Sequence, residues 1–220
     1  SRNIKHLHLF TSVFADEISI SRFMPDSKER NPVSYKIGAN LSNFPVQNLS
    51  LTGEFTRTGI ITYKHSIPAL TWASNGYNLG NYLGDHSQEY YLGMTYKPIR
   101  GLDLNLSVTD AKHGNEFIYL RRNSDKSDAT KVFLSQPFMG EVSWSNRSYA
   151  FDARYEIINN AYAVINVIHS DIKTYDLTTT PIAGDESEVL LDAQGYMNLF
   201  TPKFLQGKNT TITVGFSFGF

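Results

Sequence analysis

The chain has no cysteine. That excludes a disulfide frame, a cysteine zinc cluster and a thiol nucleophile. It also lacks any apolar run of about 18 residues, the length a membrane-crossing helix needs. Hydrophobic residues make up 41% of the sequence and mean hydropathy is -0.29. Membrane-spanning β-strands need no such run, because about 9–11 residues of alternating character suffice. There is no excess of basic charge either. The 20 Lys and Arg are scattered against 21 Asp and Glu, for a net charge of -1. No basic stripe offers the electrostatic footprint of a nucleic-acid binder. Gly-x-Ser-x-Gly and His-Glu-x-x-His are both missing. His169, Ser170 and Asp171 are consecutive, and consecutive strand residues point to opposite faces, so they do not converge on one substrate atom. Neither an enzyme nor a cofactor is expected. The start, Ser-Arg-Asn-Ile, carries no signal sequence. A removed signal or a longer N-terminal part would each account for that.

Alternation is what the sequence does have, along with 13 Tyr and 14 Phe. From Thr211 to Phe220, Ile212, Val214, Phe216, Phe218 and Phe220 point one way, and Thr211, Thr213, Gly215, Ser217 and Gly219 the other. A sheet with one greasy and one small polar face, ending on phenylalanine, reads as the closing strand of an outer-membrane β-barrel. The same period of two recurs over 33–42, 49–56, 89–96, 102–109 and 149–156. Residues 5–18 carry Leu7, Leu9 and Val13 on one face but Phe10 and Phe14 on the other. Residues 161–172 are apolar on both faces, as in a strand buried on both sides.

The connections sort into short ones (Phe44–Asn48, Lys97–Gly101, Ile157–Ala161) and long ones (Ser21–Asn31, Lys64–His86, Gly114–Gln136, Thr174–Asn209), in strict alternation. Short periplasmic turns and long extracellular loops are the rule for such barrels. The count is eight strands in one domain over 1–220, with 189–200 placed in the last loop as a strand extension. The predicted fold is therefore all-β: an antiparallel transmembrane β-barrel of eight strands, or the C-terminal half of a larger barrel whose N-terminal half is not in this sequence. Lys36, Glu54, Glu89, Asp103, Asp152 and Arg154 face the interior. They must pair in a narrow barrel, because unpaired buried charge is costly, and can sit in water in a wide one.

The stretch from Tyr63 through Asp85 resembles the Wzi-like capsule-assembly family of outer-membrane barrels, in the style of members from the Bacteroidota. The matching positions are Tyr63, His65, Gly76, Tyr77, Gly80, Leu83, Gly84 and Asp85. Short islands elsewhere, such as Arg154–Asn160 and Thr201–Phe204, look similar. Family members have many more than eight strands, so this chain corresponds to their C-terminal half. The resemblance implies attachment of capsular polysaccharide at the cell surface without catalysis.

The candidate glycan contacts are His65, Trp72, Asn75, Tyr77, Tyr82, Asp85 and His86 in the first long loop after the second hairpin, with His113, Asn115, Arg121 and Arg122 in the next. Aromatic faces suit the apolar C–H faces of sugars, amides and carboxylates suit their hydroxyl rims, and arginine pairs with acidic sugars. An aromatic girdle at the membrane surface, or packing of the loop onto the barrel mouth, would account for the same Trp and Tyr. His6 and His8 share a strand face but have no third partner, so no metal site is expected. The expected partners are outer-membrane lipid and lipopolysaccharide, surface polysaccharide and other outer-membrane proteins. Two other functions fit the same pattern: an accessory or structural subunit of an outer-membrane secretion or nutrient-uptake complex, and a diffusion porin. A soluble β-sandwich also alternates.

Overall fold

The computed structural model describes residues 2–16, 18–27, 30–64, 68–75, 77–114, 137–177 and 191–219. Eight long strands form one antiparallel meander: β2 (Leu7–Ala15), β3 (Val33–Ser42), β4 (Leu49–Thr58), β7 (Ser87–Tyr96), β8 (Leu102–Gly114), β9 (Val142–Ile158), β10 (Ala161–Thr174) and β11 (Lys208–Phe218). They match the eight expected strands, six marked out by alternation and two, over 5–18 and 161–172, without it. A short strand, β1 (Arg2–Ile4), pairs with the start of β2 through a turn at Lys5 and His6. Beyond the sheet, β5 (Ala73–Ser74) and β6 (Tyr77–Asn78) make a small hairpin. Each long strand pairs with its sequence neighbour in the main sheet, so the order is β1-β2-β3-β4-β7-β8-β9-β10-β11. The sheet is open: among the described residues, β11 at one edge pairs with neither β1 nor β2 at the other. A narrow barrel closed by these eight strands alone is thus not the observed arrangement. Phe220 lies outside the described residues.

The turns at 43–48, 97–101 and 159–160 lie at one end of the strands, and the long connections at the other. The segment 189–200 differs from expectation. Its described part is a helix, α1 (Ala193–Phe200), and not a strand extension. Asp192 caps it, accepting from the Gly195 N–H at 2.7 Å, which satisfies a helix-end donor. Without that signal the Leu-, Met- and Phe-rich run reads equally well as a strand.

The two faces differ in their partners. On the polar face, Lys36 meets Glu54 at 2.8 Å, Lys97 meets Asp103 at 2.9 Å, and Asn105 donates to Asp152 at 3.1 Å. Arg154 lies 3.8 Å over the Tyr162 ring. Phe10 lies across Gly38 on this face, where a Cβ would come within 2.2 Å of its ring. That is how an aromatic strand β2 fits a polar surface. The other face is apolar and uncovered. Ile37 is 54% exposed, Leu92 65% and Phe216 68%. Burying such a side chain is worth roughly 1.5–3 kcal/mol, and here that gain is not taken. β10 follows suit: Ile165 and Ile168, on opposite faces, are both exposed, so it is not a doubly buried strand.

The registers place Leu41, Leu51, Met94, Leu106, Phe151, Val167 and Ile212 in one row across β3 to β11. In β3 the apolar series ends at this row on the short-turn side and reaches Val33, eight residues beyond it, on the long-loop side. In β11 it ends at this row on the long-loop side and reaches Phe218, six residues beyond it, on the short-turn side. The apolar band therefore crosses the strands obliquely.

Candidate functional site

The packed core of the chain sits on the polar face at the long-loop end. Leu83, Ala111, Trp144 and Ile172 are buried there, with Met197 and Phe200 of α1 packed against them. Helix α1 thus roofs the ends of β8, β9 and β10. Trp144 Nε1 donates to Thr201 Oγ1 at 2.8 Å, and the His113 ring stacks on Phe200 at 4.2 Å between centroids.

The 59–86 connection folds back over the neighbouring part of the sheet. Asp85 anchors it: Oδ1 accepts from the N–H groups of Thr62 and Tyr63, both at 2.8 Å, and Oδ2 from that of Lys64 at 3.2 Å. Burial pushes the Asp85 carboxyl up, outweighing the pull of these donors and of Lys64 in the other direction. Tyr63 donates to Ser34 Oγ at 2.9 Å and leans on Phe14 and over Gly80, where any Cβ would strike its ring. Trp72 packs on Phe14 at 5.4 Å. The Tyr82 hydroxyl donates to Glu89.

Between this connection and the α1 segment lies a cavity of about 640 Å³, bordered by Trp72, Tyr82, Asp85, His113, Trp144 and Phe200. His113 lies beyond the last apolar residue of its strand, Val108. Burial, reinforced by the charges of Lys64 and His86, pulls the His113 imidazole down to about 3, so it is neutral at physiological pH. Its Nδ1 and the Asn146 Oδ1 are buried without a hydrogen-bond partner.

Four of the sequence-predicted residues come together at this cavity: Trp72, Tyr82, Asp85 and His113. Asn75 and Tyr77 are exposed on the β5–β6 hairpin outside it. His86 is buried, and its Nε2 accepts from the Met139 N–H at 3.0 Å, which makes it part of the frame. His65, Asn115, Arg121 and Arg122 lie outside the described residues. Trp144, Asn146 and Phe200 went unpredicted. Trp144 belongs to a strand that extends past its apolar stretch, and Phe200 to the unforeseen helix.

His6 and His8 do not share a strand face as expected. His6 sits in the β1–β2 turn with φ 66°, its Nδ1 3.0 Å from the Ser42 carbonyl, while His8 packs on Phe10. Among the described residues no group of three His, Asp or Glu side chains converges as a metal site. No family model, curated protein or solved structure matches the chain.

Proposed function

We propose that this sheet is a sector of a bacterial outer-membrane β-barrel, and that the barrel engages surface polysaccharide at its long-loop end without catalysis. The observation that carries the membrane reading is the oblique, uncovered apolar band. It shifts six to eight residues over the six steps from β3 to β11. At ~3.3 Å per residue and ~4.8 Å between strands, that is an obliquity of roughly 35–42°. Strands of outer-membrane barrels tilt by roughly 35–45° against the membrane normal. A band parallel to the membrane plane must cross tilted strands at that angle. With its flanking residues, each strand's stretch reaches the roughly 9–11 residues a tilted strand needs to span.

The open edges suit a sector of a wider barrel, in line with the Wzi-like resemblance of 63–85. The glycan reading is supported by the mouth cavity. Trp72 offers an exposed aromatic face, and Tyr82 and Asp85 border the same space. Titration calorimetry with oligosaccharides cut from the parent cell's surface polysaccharide tests it. Binding that Trp72→Ala weakens about tenfold is the expected outcome, since truncating an aromatic anchor of a binding site commonly costs more than ~1 kcal/mol. No binding, or binding indifferent to Trp72, contradicts the glycan reading and leaves the membrane reading standing.

A further inference from the structure

The long-loop rim of the apolar band gathers most of the strand cations. On the uncovered face, two rows that lie beyond the band in β8 to β11 hold Lys112, Arg147, Lys173 and Lys208, interleaved with Asp110 and Asp171, and the outer row continues to Arg57 in β4. Arg147 Nε donates to Asp110 at 2.8 Å, Lys173 meets Asp171 at 3.0 Å, and the Arg57 guanidinium lies 3.8 Å over the Phe138 ring. Glu141 and Asp176 flank Lys112 further out. Within the two rows five cations stand against two carboxylates, and with Glu141 and Asp176 counted against four, so the rim keeps a positive excess of one.

The placement is one-sided in two respects. Across β4 to β11 the opposite face at the same height carries Glu89 and His113 but no Lys or Arg in the ladder. At the short-turn end, the uncovered face finishes on Leu49, Tyr96, Leu102, Tyr155 and Phe218, with no charged ladder residue. Cations are thus concentrated on one rim of one face. Directly beneath them the apolar face has a shallow trough of about 710 Å³, floored by Ala39, Leu41, Leu92, Leu106 and Phe151 and reaching Tyr149 at the rim. The small side chain of Ala39 and the bare backbone of Gly53 open it.

We infer that this rim and trough together bind a phosphorylated lipid of the outer leaflet, with phosphate on the cations of the rim from Arg57 to Lys208 and an acyl chain in the trough below. The inference rests on the membrane reading above. Phosphate oxygens pair with guanidinium and ammonium groups, and long basic side chains reach from an apolar surface to a headgroup. Asp110 and Asp171 already pair with Arg147 and Lys173, so a bound phosphate shares these cations with the two carboxylates.

The test refolds the protein in detergent and measures retained lipid by native mass spectrometry, with lipid A and dephosphorylated lipid A as probes. Both carry the same acyl chains, so their difference reads the phosphate. Lipid A is expected to be retained preferentially. Lys112→Gln and Lys173→Gln should each lower that preference about fivefold, the effect of ~1 kcal/mol per cation near an anionic headgroup. Equal retention of the two lipids, or a preference unchanged in both variants, overturns the inference while leaving the membrane reading standing. A chain that stays soluble and binds neither lipid overturns the inference together with the membrane reading.

Discussion

Asp85 shows how one side chain sets the geometry of the long-loop end. Its three backbone donors define the corner at 62–64, and the corner sets Tyr63 against Ser34 and Phe14. Asp85→Ala strands those donors inside the protein, at a cost of about 1–3 kcal/mol for a buried group left unsatisfied. A lower urea midpoint, with retained sheet signal in circular dichroism, is the expected result. His113 makes a second residue-scale prediction. Its pKa is lowered in the folded state, so it resists a proton that an unfolded chain would take up below its ordinary value of 6.5. The stability it contributes is complete above pH 6.5 and drains as pH falls towards about 3. In a Trp72→Phe background, Trp144 fluorescence should shift to the red over that window as α1 lifts from its stack on His113. His113→Gln should weaken that pH dependence, leaving the part that the raised Asp85 carboxyl contributes from the same cavity.

At the scale of elements, alternation located six of the eight long strands, because period two is imposed by strand geometry and needs no tertiary context; β2, with Phe10 and Phe14 on its polar face, and β10, apolar on both faces, break it and were read as strands from their place in the series. The short turns were legible too. Helix α1 was not: its eight residues hold no acidic first turn and no basic last turn, and only the Asp192 cap distinguishes it from an apolar strand. The small β5–β6 hairpin and the β1–β2 turn depend on contacts and positive φ values that composition does not disclose. The same limit applies to the cavity. Trp72, Tyr82, Asp85 and His113 were legible as residue types, while their convergence with Trp144 and Phe200 follows from where α1 docks. Under the membrane reading proposed above, the strands also carry a depth scale. Leu106 lies in the middle row of the band and Tyr90 at its rim. Leu106→Arg should cost roughly 2–4 kcal/mol of folding into a bilayer, and Tyr90→Arg only ~0–1. Comparable losses at both positions in lipid-vesicle refolding would contradict the depth assignment.

For the whole molecule, every functional statement depends on what solvates the face bearing Ile37, Leu92, Leu106 and Phe216. A second protein layer would make this a sandwich, whereas acyl chains make it a barrel wall with an outer mouth. The absence of cysteine allows a direct decision. Single cysteines placed one at a time from Tyr149 to Tyr155, beginning with Phe151→Cys, can be spin-labelled in the chain refolded into lipid vesicles and tested for collision with oxygen and with a water-soluble nickel chelate. The account predicts a period of two: 149, 151, 153 and 155 accessible to oxygen and shielded from nickel, and 150, 152 and 154 the reverse or protected. It also predicts that the most oxygen-accessible position moves by about one residue per strand from β3 to β11. Odd positions that are closed to both reagents, or open to nickel, would contradict it.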